Sequence, residues 1–121
     1  MAKDRVQLQR RRSLSELESD DWSLAPEGAT VLVTKVHAYR RKPIGELTDE
    51  ELRLLLGQNE GLLWLIPLAI ERLERDPCAS GDLYAGALRA SVDRLNADYW
   101  TRHPDLAERL AAIPTCIENE E

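Results

Sequence analysis

Apolar and charged positions are patterned most clearly between Leu47 and Pro77, in the stretch LTDEELRLLLGQNEGLLWLIPLAIERLERDP. Leu52, Leu55 and Leu56 recur at i, i+3 and i+4, the stripe of an amphipathic helix. Thr48 and Glu51 stand three apart, the spacing of a capping box, and Leu47 and Leu52 occupy the positions of a hydrophobic staple. Asp49, Glu50 and Glu51 place negative charge on the positive end of the helix dipole. This predicts a helix from about Asp49 to Leu56, closed by Gly57 in the left-handed conformation. From Gly61 to Ile70 every residue except Gly61 and Pro67 is large and apolar or alanine, which predicts a second, buried helix. Charge returns at Glu71, Arg72, Glu74, Arg75 and Asp76, giving its later half a wet face. Pro67 predicts a kink or a restart within it, and Pro77 a stop. The run of about ten apolar residues is too short to cross a bilayer.

The remaining pattern is also helical. Ser13 and Glu16 read as a second capping box, opening a short helix with Leu14 and Leu17 inward. Pro26 and Gly28 mark a loop. The stretch from Thr30, TVLVTKVHAYR, has the β-branched content of a strand. It also has Leu32, Val36 and Tyr39 at i, i+4, i+7 and cations at its end, which suit a helix. No second strand candidate exists to pair with it, so helix is the reading, stopped by Pro43. CASGD (78–82) reads as a loop. Beyond it, Tyr84, Leu88, Val92 and Leu95 share a helical face. Asp98, Tyr99 and Trp100 form a short aromatic turn or helical tip. Pro104 opens a last helix with Leu106, Leu110 and Ile113 inward, which Pro114 ends. The expectation is an all-α, single-domain compact bundle of about five to six helices. A mobile basic segment over 1–12 precedes a helical domain over 13–114, and a frayed acidic tail over 115–121 follows it.

Length and composition then narrow the class. At 121 residues the chain suits one modest core. No apolar leader stands at its start, so the expected location is the cytoplasm. In that setting Cys78 and Cys116, which match no metal-site spacing, read as free thiols. The net charge of −6 favours basic partners over nucleic acid. That charge lies in alternating blocks. Arg10, Arg11 and Arg12 are followed by Glu16, Glu18, Asp20, Asp21 and Glu27, then by Lys35, Arg40, Arg41 and Lys42.

Candidate chemistry is sparse. His37 and His103 lack a nucleophile or supporting motif, so catalysis is not expected. GQNEG (57–61) reads as a helix–helix turn rather than a phosphate loop. No cofactor and no metal is expected. The Arg10–Arg12 run admits an alternative, a small helical nucleic-acid-associated regulator, although a solvated arm is the plainer reading. The acidic block beside Trp22 is open between two readings. One is a solvated helix end with a half-buried aromatic. The other is a docking patch in which an aromatic anchor and carboxylates face a basic protein.

The region Lys42–Val92, with Asp21-Trp22 upstream, resembles the immunity proteins of bacterial contact-dependent growth inhibition systems. The resemblance rests on Asp21-Trp22, Lys42-Pro43, Leu52, Gly57-Gln58, Gly61-Leu62, Leu65, Pro67, Leu73, Asp76-Pro77, Gly81-Asp82, Tyr84 and Gly86-Ala87-Leu88. It spans most of residues 13–100. One departure is DRLNADYW (93–100), where the family pattern carries a second charged or proline-bearing segment before the late tryptophan. The resemblance implies a small cytoplasmic, non-catalytic protein that binds the C-terminal toxin domain of a delivered effector. Many such toxins are nucleases, with basic active sites, so occlusion by an acidic surface is the expected mechanism. The residues expected to meet that partner are Glu16, Glu18, Asp20, Asp21, Trp22, Glu46, Asp49 and Glu50.

Overall fold

The computed structural model describes residues 9–22, 25–79, 86–95, 97–114 and 116. Among them the regular structure is helical, with no strand and one isolated bridge between Ser13 and Pro43. The fold is therefore all-α. The helices are α1 (Leu14–Leu17), α2 (Val31–Arg40), α3 (Asp49–Gly57), α4 (Leu62–Arg75), α5 (Ala87–Asp93), α6 (Ala97–Arg102) and α7 (Pro104–Ala111). A 3₁₀ turn covers Ile44–Glu46. These seven helices exceed the five to six expected because Tyr99 and Trp100 lie on a helix of their own. The chain divides into two compact units, Met1–Leu47 and Thr48–Glu121.

In the first unit α1 opens with the anticipated reciprocal cap. The Glu16 N–H donates to Ser13 Oγ at 3.2 Å, and Glu16 Oε1 accepts from the Ser13 N–H at 2.9 Å. Leu14 is fully buried, and Val36, Ile44 and Leu47 complete the apolar interior. The chain leading into α1 is pinned to the segment after α2. The Ile44 N–H donates to the Arg12 carbonyl at 2.9 Å. A Cβ at Gly45 would stand 3.0 Å from the Arg10 carbonyl oxygen, so a side chain there would push the Arg10 backbone back by a few tenths of an ångström. Residues 1–8 of the segment expected to be mobile lie outside the described residues.

Helix α2 forms as the exclusion argument required, with Thr30 Oγ1 accepting from the Val33 N–H at 3.2 Å. Its faces differ from the apolar stripe read along it. Val36 is buried, but Leu32 is 39 % exposed. The fully buried position on the last turn belongs to a cation, Arg40, at 1 % exposure. A stripe assigned by spacing could not register this, because a buried arginine depends on partners elsewhere in the chain.

The second unit is organised by α3, α4 and α5. The α3 cap is the Thr48–Glu51 box, with Glu51 N–H to Thr48 Oγ1 at 3.1 Å and Thr48 N–H to Glu51 Oε1 at 2.9 Å. Its end differs from expectation. Gly57 is the last helical residue, and the left-handed conformation falls on Asn59 (φ 58°). Asparagine tolerates that region better than most residues. Helix α4 runs unbroken through Pro67, without a restart. The lost hydrogen bond costs about 3 kcal/mol in an exposed helix. Here Leu65, Ile66, Leu68, Ile70 and Leu73 are all at 4 % exposure or less. Each large buried side chain contributes about 1.5–3 kcal/mol, so tertiary burial outweighs the local penalty. The same run is not buried all round, however, since Leu63 is 62 % exposed. In α5, Leu88 and Val92 are fully buried, and Leu95, just past its end, is nearly so. Tyr84 and the Ser80–Asp82 part of the expected loop fall outside the described residues.

Two links fasten the end of the chain to α4. The first is a forked ion pair, with Arg109 Nη2 and Nε donating to the two Glu74 carboxylate oxygens at 2.8 and 3.1 Å. It holds the Glu74 carboxyl below its usual range, and it raises Arg109. Because the folded Glu74 pKa is depressed, its stabilisation is present above the unfolded carboxylate pKa of 4.5 and lost as pH falls through the lower folded value. Both groups are about two-fifths exposed, so solvent screening limits the coupling to about 0.5 kcal/mol. A double-mutant cycle with Glu74→Gln and Arg109→Gln should give that coupling at pH 7 and none well below the folded Glu74 pKa.

The second link corrects an expectation. Cys78 and Cys116 are not free thiols but form a disulfide, with Cα atoms 4.9 Å apart. That separation lies within the ordinary range for a cystine. Sequence separation alone hid it, because two cysteines 38 positions apart carry no signal that the segment after α4 and the segment after α7 meet.

Candidate functional site: an acidic segment clamped by a buried arginine

The acidic segment over 16–22 lies in the first unit and is built around Arg40. Arg40 Nη1 meets Glu18 Oε1 at 2.7 Å, and Nη2 donates to the Asp20 carbonyl at 3.0 Å. The Trp22 ring lies over the guanidinium, 4.2 Å from the ring centroid. A planar cation suits this place because it can donate in a fork and stack on an aromatic at once. The Trp22 Nε1–H donates to Asp20 Oδ2 at 3.1 Å, and the ring meets His37 edge-on with centroids 5.1 Å apart. Asp21 stands 3.7 Å from Arg41 Nε. Trp22 nevertheless keeps 37 % of its surface exposed.

The expected partner residues therefore fall into two groups. Glu16, Glu18, Asp20, Asp21 and Trp22 are brought together on one unit, each with a local contact that orients it. Glu46 is exposed on the 3₁₀ turn of the same unit. Asp49 and Glu50 belong to the second unit and are engaged inside it. Asp49 Oδ1 accepts from Arg72 Nη1 at 3.1 Å, and Glu50 pairs with Arg53 at 2.6 Å.

Sequence reasoning missed three features here. Arg40 reads in the sequence only as a member of a basic cluster, and His37 as a histidine without a supporting motif, although both meet the Trp22 ring. The first turn of α2 presents Val31, Leu32 and Val33 at 72, 39 and 39 % exposure. Val33 lies one turn from His37, on the helix face that meets Trp22. The available signal was charge complementarity: carboxylates twenty residues before a cation embedded among α2's apolar positions.

His103 stacks on Tyr99 at 4.4 Å in the second unit. Burial raises the Tyr99 phenol above its ordinary pKa, aided by Asp105. Among the described residues no group of three or more His, Cys, Asp and Glu is gathered as metal ligands would be. No described helix is long and apolar enough to cross a membrane.

The first unit thus carries an oriented acidic and aromatic face, a composition found at protein-docking surfaces. Comparison with known families identifies the kind of protein. The family model of CDI immunity proteins matches residues 16–110, and the chain belongs to that family. No curated protein and no solved structure matches it.

Proposed function

We propose that this protein neutralises the toxin domain of its contact-dependent growth inhibition effector by seating the 16–22 segment and the α2 face over the toxin's functional surface. Family membership over residues 16–110 carries this reading. The toxin is proposed to be a nuclease, and the encounter to occur in the cytoplasm, where nucleic acid lies. A nuclease surface that binds phosphate is basic, and the oriented carboxylates of Glu16, Glu18, Asp20 and Asp21 are its electrostatic complement. Trp22 and the exposed Val31, Leu32 and Val33 supply the apolar anchors such an interface concentrates at its centre. Glu46, Asp49 and Glu50 are proposed as further contacts. The protein itself performs no catalysis in this scheme.

The test is co-expression of the toxin domain encoded beside it. Wild-type protein should restore growth, co-purify with the toxin and stop nucleic-acid breakdown. The Asp20→Lys/Asp21→Lys variant should lose protection while remaining folded by circular dichroism. Full protection by that variant would remove this face from the interface. Absence of any complex would remove the reading itself.

A further inference from the structure

We propose that the Cys78–Cys116 bond is a redox-sensitive latch, which a cellular dithiol opens in the folded protein and an oxidising shift closes again. The latch rests on the reading above for its compartment alone. In a cytoplasm, disulfides are characteristically transient or redox-sensing. The chain has two cysteines and no third, so the opened thiols can re-pair within the chain only with each other, and the latch has two states. Cys116 lies beyond residues 16–110, so the family match does not account for the bond.

The bond stands where opening has a local effect. Neither cysteine lies in a helix, and both are half-buried, at the edge of the core. A Cβ at Gly86, the residue that caps α5, would stand 3.7 Å from Cys116 Cβ, so the cystine is seated against the start of that helix. The Gly86 N–H donates to the Cys78 carbonyl at 3.1 Å, and the Leu88 N–H to the Ala79 carbonyl at 3.2 Å. The turn after α4, the first turn of α5 and the segment after α7 thus meet in one joint. The apolar interior does not depend on it, since Leu65, Ile66, Leu73 and Val92 are fully buried on α4 and α5. In the opening step a thiolate of the dithiol attacks one sulfur of the cystine, forming a mixed disulfide and releasing one cysteine. The second thiol of the dithiol then displaces the other cysteine. The cystine S–S bond breaks and one forms in the dithiol. Two electrons and two protons pass from the dithiol to Cys78 and Cys116.

The probe is dithiothreitol, mixed with its oxidised form in graded ratios and equilibrated with the full chain without denaturant. Alkylation of free thiols and intact mass give the fraction opened, and amide hydrogen exchange reports the joint. The folded protein should pass reversibly between the two forms. Opening should abolish exchange protection at Gly86 and Leu88 and leave it at Leu65 and Leu73. The Cys78→Ser/Cys116→Ser variant should show the opened pattern in every mixture. In cells quenched with acid and alkylated, the thiol oxidant diamide should convert the protein from the reduced to the oxidised form. A bond that dithiothreitol opens only after urea has unfolded the chain would mark a permanent staple and overturn the latch. So would opening with Gly86 and Leu88 still protected, or a cellular state that diamide leaves unchanged. Failure to capture the toxin alongside reversible opening would instead strike the functional reading and leave the latch standing.

Discussion

Replacing Arg40 with alanine should destabilise the first unit by about 3 kcal/mol. It should also release the acidic segment from α2. Arg40 is 1 % exposed, so its guanidinium is withdrawn from water. Its partners include the Glu18 carboxylate at 2.7 Å, the Asp20 carbonyl at 3.0 Å and the Trp22 ring at 4.2 Å. Removing one member of a buried ionic cluster costs about 3–5 kcal/mol. The lower end applies because Glu18 keeps 32 % of its surface in water and is not stranded as a buried charge. Lysine should recover only part of the loss. It keeps the charge but has no planar group to stack on Trp22 while donating in a fork. Urea denaturation measures the stability change. The Trp22 indole N–H resonance, set by its bond to Asp20, reports the local one. An Arg40→Ala protein with wild-type stability and an unmoved indole signal would refute the clamp.

The consequence for binding differs from that of ordinary surface charges. Glu18, Asp20 and Trp22 are presented by a scaffold whose centre they do not control. On the proposed interface, Arg40→Ala should therefore weaken toxin capture without removing any of the proposed contact groups. Ordering a segment before binding spares the entropy otherwise lost at the interface, about 0.5–1.5 kcal/mol for each immobilised side chain.

What could be read from the sequence follows from the range of the interactions involved. Both capping boxes, Ser13–Glu16 and Thr48–Glu51, were legible because a cap is closed within three residues. Helix α2 was legible only by elimination, since its β-branched residues favour a strand and nothing in the chain could pair with one. The passage of α4 through Pro67 was not legible. The local penalty is visible in the sequence, whereas the burial that outweighs it belongs to α3 and α5. The candidate site divides in the same way. The acidic block and Trp22 stand out in the sequence, but their orientation depends on Arg40, twenty residues away and disguised within a basic cluster. The disulfide was the least legible feature, since two cysteines without a motif carry no distance information.

That disulfide carries the second large effect. Reducing Cys78–Cys116, or replacing both residues with serine, should lower the stability of the second unit by about 4 kcal/mol. The figure follows from the loop it closes. With the cysteines 38 positions apart, the cross-link removes the closure entropy of a long loop from the unfolded chain. The folded state should change less. Leu110 and Ile113 remain buried, and the Glu74–Arg109 pair still spans α4 and α7. Reduction should therefore shift the urea midpoint strongly while leaving the helical content near that of the oxidised protein. Thiol titration of the native and the unfolded protein supplies the control, and the oxidised form should expose none in either state. Two reactive thiols in air-oxidised protein, or coincident unfolding curves with and without reductant, would defeat the prediction. The bond also bears on where the protein is strongest. Cytoplasmic thiol pools oppose disulfides, so protection assayed in a reducing cytoplasm would draw on the weaker form. If the double serine variant protects as well as the wild type there, the face around Arg40 suffices for immunity. Any difference between them at elevated temperature should then track the lost cross-link.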